Sequence, residues 1–198
     1  RKQNGSSIYE YVCLYVDDVL ATSENPEKIL RQEIGKYWTL KPGSAGPPSI
    51  YLGNKVSKVT LDNQVSCWAF SSSQYTQYAV ANVRSYLQKN GGKLPKKASA
   101  PFPNGYRPEV DITPELSLSD ATHYQSLVGV LRWIVELGRI DITTETSELA
   151  SMMASPREGH LDALYHVFAY LHLHHNAEMI FDPTEPQFLD TAFVKQDW

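Results

Sequence analysis

Two short apolar runs lie near the start of the chain and are separated by two carboxylates. The first run, residues 8–14, is aromatic and β-branched with a single charge, which is the pattern of a strand buried on both faces. The second run begins at Val19, directly after Asp17 and Asp18. A tight hairpin usually carries Asn-Gly or Asp-Gly at its tip, so an Asp-Asp pair is a poor turn former. The pattern predicts a β-hairpin over residues 8–22 whose tip carries two acids.

The next stretch predicts a helix, a loop and a pair of strands. Asn25 is a suitable N-cap, and Pro26 suits the first helical position. The helix should run to about Trp38, with Tyr37 and Trp38 on its apolar face. The loop, the two strands and a second helix are predicted at 41–49, 50–56, 65–70 and 74–87.

The second half of the chain is predicted to be mostly helical after a long connection. Residues 90–118 hold five of the twelve prolines together with several lysines, which predicts a linker. An apolar stripe at helical spacing then marks a helix from about Ser119, and Gly129 within it indicates a close helix contact. Ser155 followed by Pro156 is a helix start of the capping-box type.

These elements together predict an α+β fold. An antiparallel hairpin sheet with flanking helices comes first, over residues 1–89. The linker occupies residues 90–118. The helical region then covers residues 119–198 and includes a short strand at 178–181.

Composition narrows the class of protein without naming a function. The 198 residues carry a net charge of −4, which does not favour binding to nucleic acid, and positive charge is only local. Cys13 and Cys67 lie in predicted strands without metal-type spacing, so we expect reduced core residues of an intracellular protein. No apolar run reaches the length of a membrane span, so we expect no membrane partner.

The chemistry of the hairpin tip has two interpretations. Two carboxylates about 4 Å apart repel by ~1 kcal/mol in water and ~4 kcal/mol at the dielectric of a protein surface. A divalent cation between Asp17 and Asp18 would reverse the sign of that term, and hard oxygen ligands favour Mg²⁺ or Mn²⁺. The plainer interpretation is a polar turn between two strands.

Several stretches of the chain, taken in order, carry a resemblance to one family. The first is Tyr15-Val16-Asp17-Asp18, between two apolar strands. The others are Tyr51-Leu52-Gly53, Ser73-Gln74-Tyr75, Tyr124-Gln125-Ser126-Leu127-Val128-Gly129, Arg139-Ile140-Asp141-Ile142, and Pro156, His160 and Tyr170-Leu171. In this order they resemble stretches of the reverse transcriptases of Ty1/copia-type retrotransposons, and the first looks like the polymerase signature of those enzymes. The resemblance spans nearly the whole chain. Each stretch alone is weak evidence, and their occurrence in the same order is strong evidence.

The resemblance implies an RNA-directed DNA polymerase, a nucleotidyltransferase of a retrotransposon Pol polyprotein. Residues 1–89 would be palm and primer-contacting region, and residues 119–198 a thumb or connection region leading toward RNase H. It implies Mg²⁺ or Mn²⁺ at Asp17 and Asp18, with nucleotide or primer contacts by a set of five residues: Tyr15, Val16, Tyr51, Leu52 and Gly53. The implied partners are an RNA template, a DNA primer, dNTPs and the rest of the polyprotein, namely fingers, integrase and RNase H. The implied location is the cytoplasm, in a virus-like particle, or the nucleus.

The chain also departs from the family pattern. The family carries a further catalytic aspartate and the fingers upstream of the region matched here, so we expect little polymerase activity from these 198 residues alone. Lys195 stands where an RNase H carboxylate belongs in an ungapped match, and Ile140 and Gln125 replace the usual proline and arginine.

Two other classes of function stay open. The chain could be a non-catalytic retrotransposon remnant or a domesticated interaction module, which Lys195 favours. It could also be an unrelated metal-dependent phosphotransfer enzyme, and then Asp62 or Asp111 should lie close to Asp17. His172, His174 and His175 lie at a helix end, where histidine suits the helix dipole, and we do not expect them to bind zinc.

Overall fold

The computed structural model describes residues 9–184 and has a mixed α/β architecture, which confirms the α+β prediction. The described residues form six strands and five α-helices. The strands are β1 (Tyr11–Tyr15), β2 (Asp18–Thr22), β3 (Ile50–Tyr51), β4 (Asn54–Thr60), β5 (Ser66–Ser71) and β6 (Glu178–Phe181). The helices are α1 (Pro26–Lys28), α2 (Ser73–Lys89), α3 (Leu118–Glu136), α4 (Thr143–Ser151) and α5 (Glu158–Leu173).

The strands form two separate antiparallel sheets. β1 and β2 pair only with each other, and β3, β4, β5 and β6 form a second sheet in that order. β6 pairs with β5 from Ser71 opposite Glu178 to Trp68 opposite Phe181. The predicted strand at 178–181 is therefore confirmed, and it brings the end of the helical region back to the sheet of the first half.

The hydrophobic core lies between α2, α3, α4 and α5. Its fully buried centre includes Tyr124, whose hydroxyl donates a 2.6 Å hydrogen bond to the Leu149 carbonyl. Leu149 of α4 also belongs to this core, and the other three helices contribute Ala79, Val80, Val83, Leu87, Leu127, Val128, Leu131, Ile134, Ala163, Leu164, Val167, Phe168 and Leu171. Helix α2 thus shares one core with α3 and α5, and the domain boundaries at 89 and 118 stay a prediction.

The proline-rich connection after α2 is packed along the helices. The Ala98 side chain is buried, and Phe102 and Tyr106 pack against the helical core. Farther on, the Leu116 amide donates to the Pro156 carbonyl at 2.9 Å, and the Glu158 amide donates to the Pro114 carbonyl at 3.0 Å. The segment therefore has fixed contacts along its length.

A polar knot fastens this connection to the start of α5. The Asp111 carboxylate accepts hydrogen bonds from the Thr113 amide at 2.8 Å, the Thr113 hydroxyl at 2.5 Å and the Tyr106 hydroxyl at 2.8 Å. The Thr113 hydroxyl in turn accepts from the Gly159 amide at 2.9 Å. His160 Nε2 donates to the Pro108 carbonyl at 3.1 Å, because its Nδ1 already accepts from the Arg157 amide.

The prediction that the first strand is buried on both faces is wrong. Leu14 is 66% exposed and Tyr15 is 49% exposed, and Cys13 is exposed as well, whereas Cys67 is buried as predicted. Within residues 9–184, β1 and β2 form a sheet of only two strands, and all five residues of β1 are exposed.

The prediction of one regular helix from Asn25 to about Trp38 needs correction. The helix after Asn25 starts as predicted, since the Asn25 side chain accepts from the Lys28 amide at 3.1 Å. It then widens to a π-helix at Ile29–Glu33 and tightens to a 3₁₀ turn at Ile34–Lys36. Side chains that a regular α-helix would place on one face therefore no longer line up. Tyr37 and Trp38, predicted on the apolar face of the helix, are exposed.

Two predictions about the second half are also wrong. A Cβ added to Gly129 would meet no atom within 4 Å, because this glycine lies on the open face of α3. The cap of α5 is Arg157, two residues after Ser155. The chain at Arg157 is extended and paired with Glu115, and helix geometry can begin only after that bridge.

No helix in the described part of the chain combines the length and the apolar character that a membrane crossing requires.

Candidate functional site

The tip of the β1–β2 hairpin is a strained two-residue turn. Tyr15 pairs with Asp18, so Val16 and Asp17 are the turn residues and Asp18 begins β2. Val16 has a φ of +52°, a left-handed conformation that β-branched residues rarely adopt. The sequence placed both aspartates between the strands, whereas only Asp17 lies in the turn. Strain of this kind persists when the surroundings hold it, and it is concentrated at functional sites.

Both carboxylates of the tip are accessible to solvent. Asp17 and Asp18 are exposed, as is Val16 beside them, at 85%. Asp18 stands directly opposite Tyr15, so these two side chains lie on the same face of the hairpin. The tip thus presents acceptor oxygens to solvent from a short, rigid support.

One face of the hairpin looks toward the rest of the molecule. Alternation along a strand places Cys13 and Tyr15 on the face that also carries Asp18. The Tyr15 ring lies 6.1 Å from the Trp133 ring of α3. The pKa of Tyr51 is raised by its partial burial and by the negative charge that Cys13 and Asp18 can carry. Tyr51 is therefore close enough to the hairpin tip to feel the charge of Asp18.

The predicted primer-contacting stretch forms a tight turn, where the sequence predicted one continuous strand over 50–56. Tyr51 pairs with Asn54, and the residues between them, Leu52 and Gly53, have φ values of +51° and +82°. Positive φ at both central residues is the geometry of a type I′ hairpin turn. The sequence signal for this turn is Gly53, because glycine readily adopts positive φ. Hydrophobic periodicity alone did not indicate a turn there. The Tyr51 ring also packs 6.5 Å from Phe70 of β5.

The tip carries part of what a magnesium site requires. Mg²⁺ commonly keeps several waters and is held by one or two carboxylates together with substrate phosphates. Asp17 and Asp18 fit that donor set in number and type. Within residues 9–184 no group of three His, Cys, Asp or Glu side chains is placed to hold a metal ion. A cation held by this pair would need its remaining ligands from water or from substrate phosphates.

The competing candidate ligands have other roles in the structure. Asp111 belongs to the polar knot at the start of α5. Asp62 is exposed in the turn between β4 and β5. His175 Nδ1 lies 2.8 Å from the Ser73 hydroxyl. None of the three joins the hairpin carboxylates in a metal-binding group within the described residues, so the approach to Asp17 that an unrelated phosphotransfer enzyme predicts is not seen in this part of the chain.

Two ring contacts were not found from the sequence. Trp133 of α3 contacts Tyr15 of the signature stretch, with 6.1 Å between the ring centres. His123 stacks on Tyr86 at 3.8 Å between ring centres, with its Nε2 3.1 Å from the Tyr165 hydroxyl. Both contacts join elements far apart in the chain, and no local pattern signals them. Lys195 lies outside the described residues.

Comparison with known proteins gives one informative similarity. The chain is 30% identical over 164 residues to a Saccharomyces cerevisiae protein assigned by its name to transposon Ty5-1, YCL074W. The matched region covers 82% of this chain and 48% of that protein, so the chain spans about half the length of the curated relative it matches. No protein-family model matches the chain, and no solved structure matches it. The similarity relates the chain to a retrotransposon-type protein.

Proposed function

We propose that the chain is the reverse-transcriptase segment of a Ty1/copia-type retrotransposon polyprotein, carrying part of the polymerase site. One observation carries the proposal: Tyr51, at the start of the Tyr51-Leu52-Gly53 turn, lies close enough to the Asp17-Asp18 tip for the charge of Asp18 to raise the pKa of Tyr51, although more than 30 residues separate them in the chain. These are the two stretches with the most direct roles in the family resemblance. The similarity to a transposon protein supports the same assignment.

In this proposal the residues of the tip hold a divalent cation. Asp17 is the main ligand and Asp18 assists, and both carboxylates are exposed as a ligand site requires. When bound, such ions lower the pKa of the primer 3′-hydroxyl and stabilise the charge of the transferring phosphoryl group. Val16 lies between Tyr15 and the two carboxylates, and its φ of +52° sets the course of the backbone that carries them.

The turn at Leu52 and Gly53 positions the primer strand. Its backbone conformation is preset by positive φ at both residues, so binding orders little additional chain. The Tyr51 hydroxyl is protonated at neutral pH, as in any tyrosine, and can donate a hydrogen bond; partial burial and the charges of Cys13 and Asp18 raise its pKa further. Tyr15, the last residue of β1 before the tip, packs against Trp133 of α3 and so supports the tip.

Two-metal nucleotidyl transfer needs carboxylates from more than one strand. Within residues 9–184 the hairpin supplies only the pair at its tip. We therefore expect the isolated 198-residue chain to bind a primer terminus and to extend it little or not at all.

The test is a photo-cross-linking experiment with the full chain. A DNA primer carrying 4-thiothymidine at its 3′ end is annealed to an RNA template and irradiated with the protein in Mg²⁺, and the cross-linked peptides are identified by mass spectrometry. We expect cross-links within residues 15–18 and 51–53. Asp17→Asn should reduce them, and Asp62→Asn, a change to an exposed carboxylate in another turn, should leave them unchanged.

Two outcomes would contradict the proposal. One is cross-linking only elsewhere on the chain, or equally with and without the divalent ion. The other is robust primer extension by the 198-residue chain, which would show that the polymerase site is complete without a further carboxylate strand.

A non-catalytic interaction module is the second candidate. It is favoured by the exposed apolar residues on one face of β1, where Val12 is 46% and Leu14 66% exposed. Such a patch suits a protein partner. This alternative predicts that Asp17→Asn and Asp18→Asn have no effect on any binding activity of the chain, whereas Leu14→Ser abolishes partner binding.

A further inference from the structure

A row of aromatic side chains crosses one face of the β3–β6 sheet and begins beside the hairpin tip. The Tyr51 ring, which feels the charge of Asp18, lies 6.5 Å from Phe70. The Phe70 ring meets the Phe181 ring edge-on at 4.9 Å. Trp68 stands directly opposite Phe181 in the pairing of β5 with β6, so the two share a face. We call Tyr51, Phe70, Phe181 and Trp68 the aromatic row.

A lysine stands at the far end of the aromatic row. Lys58 of β4 is the direct cross-strand neighbour of Trp68, and its ammonium lies 5.1 Å from the centre of the indole ring. This is the geometry of a cation–π contact. It places a positive charge and a flat aromatic surface at one point of the sheet.

The far end of the aromatic row is open to solvent. Phe181 is 47% exposed and Trp68 is 37% exposed. Lys58 of β4, the neighbour of Trp68, is exposed as well. Tyr51 and Phe70 are half-buried. Within residues 9–184 no element covers this end, and large exposed aromatic side chains in adjacent positions mark a binding surface.

Charge around the aromatic row selects the kind of partner. The whole chain has a net charge of −4, but residues 34–61 contain four lysines and no aspartate or glutamate. Lys58 belongs to this acid-free stretch, and no ion pair involves it within the described residues. Asp182 follows Phe181, and its carboxylate accepts hydrogen bonds from the Thr184 amide and hydroxyl. Lys58 and the exposed rings beside it complement a polyanion that carries flat groups.

We infer that the aromatic row together with Lys58 is a binding track for a single nucleic-acid strand. Bases stack on Trp68 and Phe181, and a phosphate of the same strand pairs with Lys58. Stacking of this kind tolerates any sequence, because every base has a flat face. The inference rests on the proposed function, since the track begins at the candidate primer-contacting turn and continues away from it.

The test measures binding of a short fluorescein-labelled oligo(dT) strand to the full chain by fluorescence anisotropy, without divalent ions. Trp68→Ala should weaken binding roughly tenfold or more, and Trp68→Phe should restore most of it because a phenyl ring still stacks. Lys58→Ala should make the slope of log affinity against log salt shallower by about 0.7, the value for one phosphate contact on a single strand. Trp38→Ala is the matched control, since Trp38 is 64% exposed and outside the row.

The outcomes separate this inference from the proposed function. Equal losses in Trp68→Ala and Trp38→Ala, or an unchanged salt slope in Lys58→Ala, would overturn the track. So would a fall in molecular mass of Trp68→Ala in light scattering, because the surface would then join two copies of the chain. If cross-linking of a primer terminus at residues 15–18 persists while Trp68→Ala binds normally, the proposed function survives and the track fails. Circular dichroism of each variant confirms that it is folded.

Discussion

Replacing Asp111 by alanine tests whether the connection between α2 and α3 is a packed part of the fold. The Asp111 carboxylate accepts three hydrogen bonds, two from Thr113 and one from the Tyr106 hydroxyl, and it lies against Gly159 at the start of α5. Asp111→Ala leaves the Tyr106 hydroxyl and the Thr113 amide without this acceptor. A free linker would be insensitive to the change.

The expected loss can be worked out from these contacts. A hydrogen bond to a charged acceptor contributes about 1.5–3 kcal/mol, and the contributions do not add fully when donors share one carboxylate. Asp111 is only part-buried, so water replaces some of the loss. We therefore expect the free energy of unfolding to fall by about 2–4 kcal/mol. For a chain of this size this lowers the Tm by roughly 4–16 °C.

The effect should depend on pH in a defined direction. Burial acts to raise the pKa of Asp111, but the hydrogen bonds from Thr113 and Tyr106 outweigh it and hold that pKa below its ordinary value. A carboxyl with a depressed folded pKa stabilises the fold above its unfolded pKa, near 3.9, and loses that contribution as pH falls through the folded value. The difference between wild type and Asp111→Ala should therefore be full at neutral pH and shrink below about pH 4.

Urea unfolding followed by far-ultraviolet circular dichroism measures this prediction, with Asp62→Ala as the control because Asp62 is exposed in a turn. A loss below about 0.5 kcal/mol, the usual range of surface substitutions, would refute the reasoning. So would a loss that stays constant down to the acid limit of the folded protein.

Three further predictions concern stability. Gly159→Ala places a methyl group against the Asp111 carboxylate and should cost about 1–3 kcal/mol in urea unfolding, with a smaller cost in an Asp111→Ala background. Tyr124→Phe removes the hydrogen bond from the buried hydroxyl to the Leu149 carbonyl, which keeps the Met152 amide as a donor, and should lower the free energy of unfolding by about 0.5–1.5 kcal/mol without changing the circular dichroism spectrum. Burial lowers the pKa of His123 although the charge of Asp120 raises it, so its neutral form stabilises the fold above about pH 6.5 and this contribution is lost as pH falls. His123→Phe keeps a ring to stack on Tyr86 and should make the stability between pH 7.5 and 5.5 less pH-dependent than in wild type.

The local features of the fold were predictable because single residues decide them. Asn25 with Pro26 marks a helix start wherever it occurs, and the apolar stripe of α3 repeats over five turns. The strand at 178–181 was also predicted, although its pairing with β5 was not. Hydrophobic periodicity indicates which residues are buried, but it does not identify the element that packs against them.

The features that failed depend on contacts between distant parts of the chain. The N-cap of α5 is Arg157, where the sequence predicted Ser155, because Arg157 is extended and paired with Glu115. The connection over 90–118 has the composition of a linker, but Ala98 and Tyr106 pack on helices that composition does not reveal. At the candidate site the sequence identified the Asp17-Asp18 tip. The strained φ of Val16 and the approach of Tyr51 to Asp18 became visible only in three dimensions.

The central claim is that the hairpin carboxylates form a cation site beside the Tyr51-Leu52-Gly53 turn. The most direct measurement adds Mn²⁺ to the full chain labelled with ¹⁵N and follows the paramagnetic broadening of amide signals by NMR. The account predicts selective broadening of residues 15–18 and then of 51–53, its loss in Asp17→Asn with Asp18→Asn, and its persistence in Asp62→Asn. Broadening that is spread over all exposed carboxylates, or that survives the double substitution at the tip, would contradict it.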